Sequence, residues 1–126
     1  MLSDHPIFPV LPAADLARAK AFYTETIGLS VQFESEAGVG FTAGNGTMLF
    51  VYPYGKTKAE HTVAGFLVSD VEAVVAGLRA KGLTFEEYDM PGLKTVNGIA
   101  EAGGVKGAWF KDTEGNILSL GELPAS

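Results

Sequence analysis

Hydrophobic and polar positions along this chain follow the same order twice. Each copy opens with a short apolar run, continues with apolar residues at helical spacing after an Asp, and ends in segments with the composition of strands. Asp15 and Asp70 are favourable N-cap residues, and Gly28 and Gly82 suit helix C-termini. The pattern predicts one helix between each Asp and the following Gly, with strands on both sides.

The remaining segments predict strands that are separated by turn residues. Gly44-Asn45-Gly46 favours a hairpin, and the polar stretch from Pro53 to His61 is typical of a linker. The predicted strands are Ile7 to Leu11, Leu29 to Glu34, Gly38 to Thr42, Thr47 to Tyr52, Val63 to Val68, Thr84 to Tyr88, Ala108 to Lys111 and Ile117 to Leu120. Met90 to Gly98 is predicted to be a loop, and Glu101 to Lys106 is either a broken strand or a loop.

The last predicted hairpin carries the most specific motif. An aromatic strand at Ala108 to Lys111 leads into the turn Asp112-Thr113-Glu114-Gly115-Asn116 and the apolar strand Ile117-Leu118-Ser119-Leu120. This run resembles the last hairpin of the vicinal oxygen chelate superfamily, which includes glyoxalase I, bleomycin resistance proteins and extradiol dioxygenases. That family's pattern is an aromatic strand, Asp-Pro-(Asp/Glu)-Gly-Asn and Leu-Glu-Leu. Thr113 replaces the proline here, and Ser119 stands where metal-binding members carry Glu.

The resemblance extends over the repeated pattern, from about Ile7 to Glu122. It implies an α+β fold in which two βαβββ modules form a curled mixed sheet around a cavity, with the helices outside. The modules would span about residues 6–54 and 62–122 of a single domain that covers residues 1–126.

Metal-binding members of that superfamily place one ligand on each of four strands. The resemblance maps those positions onto Phe8, Phe50, Ala64 and Ser119. None offers an imidazole or a carboxylate, and a hydroxyl alone is a poor ligand for a divalent metal. We therefore expect no metal site and no cofactor, and the sequence names no catalytic residue. His5 and His61 lie three residues before two of these positions, which along a strand is about 10 Å and the opposite face.

Strand alternation assigns the side chains that would line the cavity. The ligand-binding candidates are Phe8, Met48, Phe50, Tyr52, Ala64, Phe66, Trp109 and Ser119, and Val10 and Ile117 would face the same way. Leu49, Val51, Leu67, Leu118 and Leu120 are expected to pack against the helices. The first set has the composition of a small-molecule pocket, although each Phe alone is more typical of a core. Alternation leaves open whether Trp109 or Phe110 points inward, and whether Trp109 faces the cavity or a dimer interface.

Composition narrows the function classes. A net charge of −6 over 126 residues argues against nucleic-acid binding and is compatible with a cationic ligand. The absence of cysteine excludes disulfides, thiolate metal sites and a cysteine nucleophile. No secretory signal is visible, and no segment approaches the roughly 20 apolar residues of a membrane span. The expectation is a cytoplasmic protein that does not bind membranes.

These observations favour metal-independent binding of a small apolar or aromatic molecule, in the manner of bleomycin resistance proteins. The resemblance also implies a homodimer. The alternative is a glyoxalase-type lyase, isomerase or dioxygenase that uses a divalent metal. A third hypothesis is a metal-free enzyme with Tyr52, Ser119 or Lys94 as acid or base. Met90 to Gly98 is expected to form a mobile flap near the pocket mouth.

Overall fold

The computed structural model describes residues 1–124, which fall into two compact units. The first unit comprises Met1–Thr57, and the second begins at Lys58. Each unit contains a four-stranded mixed sheet and one α-helix, so the predicted α+β class with a repeated βαβββ order is confirmed. Within residues 1–124, no helix has both the length and the apolar composition needed to cross a membrane.

The first unit has the strand order β1-β4-β3-β2, with β1 parallel to β4 and the other pairs antiparallel. Its elements are β1 (Val10–Ala13), α1 (Leu16–Ala21), a π-helical turn (Phe22–Thr26), β2 (Ser30–Ser35), β3 (Gly38–Thr42), a 3-10 turn (Gly44–Gly46) and β4 (Met48–Pro53). A further 3-10 turn at Leu2–Asp4 precedes them.

The second unit repeats this topology with the order β5-β10-β9-β8, in which β5 is parallel to β10. Its elements are β5 (Thr62–Leu67), α2 (Val71–Ala80), β6 (Asp89–Met90), β7 (Leu93–Lys94), β8 (Ile99–Ala102), β9 (Val105–Lys111) and β10 (Ile117–Glu122). The short strands β6 and β7 pair only with each other.

Both helices begin where the sequence predicts, because an aspartate satisfies backbone donors of the first turn. The Asp15 carboxylate accepts a hydrogen bond from the Arg18 N–H at 3.0 Å, and Asp70 accepts one from the Ala73 N–H at 3.1 Å. The first helix differs from the prediction at its end, where the Ile27 N–H reaches back five residues to the Phe22 carbonyl. This wider turn accompanies the burial of two consecutive aromatic residues, Phe22 and Tyr23.

In each unit the core lies between the sheet and its helix. Leu49, Val51, Leu118 and Leu120 are buried, as predicted. Tyr23 and Phe41 complete the core of the first unit, and Val71, Val75 and Phe110 that of the second. Because buried and half-buried residues alternate along β4, the opposite face of that sheet is only partly covered.

Four segments differ from their predicted structure. The first predicted strand, Ile7 to Leu11, is observed as β1 at Val10–Ala13, so Ile7 and Phe8 lie before it. Thr84 to Tyr88 is not a strand and joins β9 through a single bridge between Phe85 and Phe110. The predicted loop from Met90 to Gly98 contains the β6–β7 hairpin. The ambiguous stretch at Glu101 to Lys106 is a hairpin that turns at Gly103 and Gly104, both with positive φ.

The predicted turn before β10 is present and is organised by Asp112. One carboxylate oxygen accepts hydrogen bonds from the Glu114 and Asn116 N–H groups at 2.8 and 2.9 Å, and the other accepts one from Asn116 Nδ2. Gly115 has φ +89°, which favours glycine. This turn fixes the β9–β10 register, on which the candidate site depends.

Candidate ligand-binding site

The sheet face of the second unit that points away from α2 carries the most informative side chains. Ser119 on β10 lies opposite Trp109 on β9 and Gly65 on β5, so these three residues share that face. Leu118 lies opposite Phe110 on the other face, where Phe110 is fully buried. The register therefore answers the question that alternation left open: Trp109, and not Phe110, lies on the face of Ser119.

The predicted orientation of Ala64 and Phe66 is wrong. Ala64 lies opposite Leu118 and Phe66 opposite Leu120, which places both on the face of α2. An irregularity in the β5–β10 pairing shifts the register by one residue, and such a shift moves every following side chain to the other face. Leu67, expected to pack on the helix, is 75% exposed for the same reason.

An open pocket of about 460 Å³ lies along this face of the second unit. Its lining combines small residues of the sheet with an aromatic wall and one arm of the β6–β7 hairpin. The residues that matter for its chemistry are Leu93, Lys94, Ala100, Gly107, Trp109 and Ser119. Two predicted ligand-binding residues, Trp109 and Ser119, thus lie in one pocket.

The Trp109 indole lies against the sheet because Gly107 leaves room for it. A Cβ atom added at Gly107 would lie 3.2 Å from Trp109 Cη2 and 3.6 Å from Cζ2. The Tyr88 ring meets the indole edge to face, with a centroid distance of 5.5 Å and an angle of 86° between planes. These contacts fix the indole while it remains half-exposed in the pocket wall. Burial of the Tyr88 phenol raises its pKa, and the nearby Glu86 carboxylate raises it further. The phenol is therefore neutral at pH 7.

Two polar groups face the pocket without a partner inside residues 1–124. The Ser119 hydroxyl makes no hydrogen bond to the described residues, and it occupies the space above Gly65, where an added Cβ would lie 2.6 Å from its oxygen. The Lys94 ammonium forms no ion pair with any described carboxylate. A ligand could therefore use a hydroxyl and a cation in an otherwise apolar pocket.

The segment predicted to be a flap does line this pocket, through Gly92, Leu93 and Lys94. Thr95 anchors its end, because its hydroxyl accepts a hydrogen bond from the Tyr88 N–H at 2.8 Å and donates one to Glu87 Oε1 at 2.6 Å. Glu87 Oε1 also accepts a hydrogen bond from the Gly98 N–H at 2.8 Å. These two bonds lower the pKa of Glu87. The predicted mobility of this segment stays a prediction.

The first unit carries an aromatic face of its own. Phe50 on β4 lies opposite Val10 on β1 and Gly40 on β3, and the Phe33 ring stacks on Phe50 with centroids 5.8 Å apart. Met48 and Tyr52 are half-buried on the same face, as alternation predicts. The prediction that Phe8 lies on the first strand is wrong, because Phe8 precedes β1 and is 43% exposed.

Sequence reasoning missed Phe33 as part of this face. The signal that could have found it is Gly40 on the neighbouring strand, because a side chain at Gly40 would overlap the Phe33 ring.

The residues present do not fit a divalent metal. The resemblance assigned the metal ligands to Phe8, Phe50, Ala64 and Ser119, of which Ser119 alone carries a side-chain oxygen and Ala64 lies on the face of α2. His5 and His61 are exposed. Within residues 1–124, no three acidic or histidine side chains lie close enough together to hold a metal ion.

Solved structures with the same fold cover nearly the whole chain. TnmS3, described as an antibiotic binding protein from a Streptomyces species, is 23% identical with a TM-score of 0.69, and the match covers 96% of each chain. A lactoylglutathione lyase from Agrobacterium tumefaciens is 20% identical with a TM-score of 0.71, and covers 93% of this chain and 92% of its own. A glyoxalase/bleomycin resistance protein from Catenulispora acidiphila is 23% identical with a TM-score of 0.66, and covers 94% and 97%. At these identities the likeness concerns the fold alone.

No curated protein sequence is similar enough to this chain to count as a match. The family model described as the Glyoxalase/Bleomycin resistance protein/Dioxygenase superfamily matches residues 4–120, and the chain therefore belongs to that superfamily.

Proposed function

We propose that this protein binds a small apolar or aromatic molecule without the help of a metal. The observation that carries this proposal is the Trp109 indole, which lies in the pocket wall of the second unit above Gly107. A tryptophan that served only the core would be buried like Phe110 on the adjacent position. A fixed, half-exposed indole is suited to stacking on a flat ring.

The size and chemistry of the pocket support this function. Its volume of about 460 Å³ falls within the range of about 300–1,000 Å³ typical of small-molecule sites. Such sites are mostly apolar and hold few polar groups that orient the ligand. Ser119 and Lys94 fit that role here, and no two described residues of the pocket lining form a hydrogen-bonded pair of nucleophile and base.

The superfamily members with known structures include both binding proteins and enzymes. TnmS3 is described as binding an antibiotic, which supports a binding function for this chain. The lactoylglutathione lyase represents the alternative, an enzyme. We favour the first because the positions that the resemblance assigns to the metal ligands lack imidazole and carboxylate groups, and no three acidic or histidine side chains cluster within residues 1–124.

We also propose that the protein acts as a homodimer. On the aromatic face of the first unit, Val10 is 51% exposed and Phe33 is 44% exposed. Large apolar side chains clustered on one face often mark a protein–protein or ligand interface. A second copy of the chain would cover them.

Two measurements test the proposed function. The chain contains one tryptophan, so the single indole N–H resonance in a ¹H–¹⁵N spectrum reports on Trp109 without further assignment. Titration with flat bicyclic aromatics such as 2-naphthamide should shift this resonance in a saturable way, and no shift at millimolar ligand would refute binding at this site.

The second measurement addresses the metal-dependent alternative. Incubation with nickel, zinc, manganese or iron(II), followed by dialysis, should leave neither bound metal nor a raised thermal midpoint, because a specific site would stabilise the fold by mass action. One tightly held equivalent per chain, with a raised midpoint that is lost on mutation of His5 or His61, would favour the enzyme instead.

A further inference from the structure

We propose that the pocket of the second unit selects flat aromatic molecules that carry an anionic group, with Lys94 binding the anion and Trp109 stacking on the ring. This inference rests on the proposed binding function and adds a ligand class to it. It departs from the expectation based on net charge, which was compatible with a cationic ligand.

The first step is the charge balance of the pocket lining, in which Lys94, Glu101 and Lys106 are the charged residues. Lys106 Nζ lies 3.0 Å from Glu72 and 3.7 Å from Glu101, so its charge is already compensated. The register also places Glu101 and Lys106 opposite each other on the face of α2, away from Trp109. Lys94 is therefore the charge that a ligand in this pocket would meet.

The second step is the state of Lys94 itself. Asp89 is its partner across the β6–β7 hairpin, yet no ion pair joins Lys94 to any carboxylate of residues 1–124. An anion that enters the pocket does not have to displace a carboxylate of the protein from the ammonium group. A ligand cation, in contrast, would be placed near an uncompensated positive charge.

The overall charge of −6 does not outweigh this local arrangement. Charges separated by more than about 8 Å are largely screened at physiological ionic strength, whereas an ammonium and an anion in contact are screened much less. Net charge thus governs the approach of a ligand, and Lys94 governs its binding in the pocket.

The third step is the shape of the pocket. Gly107 and Ala100 lie opposite each other on β9 and β8. Because both residues are small, they leave space above the sheet beside the indole. Gly121 extends this space along β10. A planar ring can therefore lie against the sheet next to Trp109, and the Ser119 hydroxyl can donate a hydrogen bond to an acceptor on it. An aromatic carboxylate or phenolate meets all of these requirements.

The test compares three ligands of one shape, 2-naphthoate, 2-naphthamide and 2-naphthylmethylammonium, by titration of the Trp109 indole N–H resonance. Because Lys94 is exposed, we expect the naphthoate to bind about threefold to fivefold more tightly than the amide. The ammonium compound should bind most weakly. The preference for naphthoate should shrink when the ionic strength is raised from about 0.02 to about 0.5 M.

Two variants assign the preference to its source. Lys94→Met should remove the preference, so that this variant binds naphthoate no more tightly than it binds the amide. Lys58→Met makes the same change of charge outside the pocket and should keep the preference. An unchanged preference in Lys94→Met would overturn the role of Lys94.

The outcomes separate this inference from the proposed function. If the amide binds the native protein as tightly as naphthoate, the anionic class is refuted while the binding function stands. If no ligand shifts the indole resonance, both are refuted.

Discussion

Replacing Thr95 by valine should loosen the base of the hairpin that carries Lys94. Thr95 is only 8% exposed, and its hydroxyl joins the end of the hairpin to the Tyr88 N–H and the Glu87 carboxylate. Valine has nearly the same shape as threonine but lacks the hydroxyl. The substitution therefore removes both hydrogen bonds and leaves the packing almost unchanged.

The two lost bonds differ in their cost. The Tyr88 N–H is partly buried and loses its acceptor, and an unsatisfied buried donor costs about 1–3 kcal/mol. Glu87 is exposed, keeps its bond from the Gly98 N–H and regains water, so its lost bond adds little. We expect the closed base of the hairpin to lose about 1–2 kcal/mol relative to its open form.

Amide hydrogen exchange measures this loss directly. The Thr95 N–H donates to the Tyr88 carbonyl at 2.9 Å and the Gly98 N–H to Glu87, so both amides are protected only while the base of the hairpin is closed. A loss of 1–2 kcal/mol corresponds to exchange about 5–30 times faster at these positions. The buried amide of Leu118 on β10 serves as an internal reference, because local opening does not expose it.

Thr95→Ser is the matched control, because it keeps the hydroxyl and loses only a methyl group. The serine variant should retain most of the protection at Gly98. Equal exchange rates in the valine and serine variants would show that packing, and not the hydroxyl, anchors the hairpin. Exchange of the valine variant at the native rate would also show that the hydroxyl does not anchor the hairpin.

In the first unit, Gly40→Ala should lower the free energy of unfolding in urea by about 1 kcal/mol, the low end for overpacking, because the added methyl would approach Phe33 Cζ to 2.7 Å and the 44% exposed ring can move aside. Gly44→Ala, with no atom within 4 Å of the added carbon, should not lower it, and equal losses would contradict this reasoning. The pKa of Glu87 is lowered by its hydrogen bonds, so its contribution to stability is present above about pH 4.5 and lost as the pH falls through the lower folded value. Protection of the Gly98 amide, corrected for intrinsic exchange, should therefore fall on acidification. An equal decline in the Glu87→Gln variant would show that this carboxyl is not the cause of the pH dependence. Light scattering at micromolar concentration should give twice the mass of one chain, and a monomer mass would count against the proposed dimer.

The fold could be predicted because its signals are local. Asp15 and Asp70 mark helix starts by the hydrogen bonds of their own side chains, and Asp112 organises its turn within five residues. The π-helical turn after Ala21 could not be predicted, because it accompanies the burial of Phe22 and Tyr23 against the sheet and no local preference marks it.

The candidate site was predicted less well, because strand register is not a local property. The segment from Val63 to Val68 is almost entirely apolar, so no alternation of polar residues shows which side faces the helix. One irregularity in the β5–β10 pairing was enough to move the Ala64 and Phe66 side chains to the face opposite the predicted one. Lys94 was considered only as an acid or base, since its place in the pocket depends on a hairpin that the sequence suggested was a loop.

The same strand of the repeat carries a glycine beside an aromatic ring in both units. Gly40 lies on β3 and Gly107 on β9, which hold the same place in the two sheets, and each makes room for an aromatic ring that lies against the sheet. The ring is Phe33 in the first unit and Trp109 in the second, and both rings remain partly exposed. Burial of these rings would stabilise the fold by about 25 cal/mol for every Å² of apolar surface removed from water, and their exposure leaves that stabilisation unused. A chain shaped only by stability would have buried such rings between sheet and helix, as it does with Phe41 and Phe110. Glycines that hold aromatic rings flat on the opposite face are therefore better explained by a surface on which another molecule stacks.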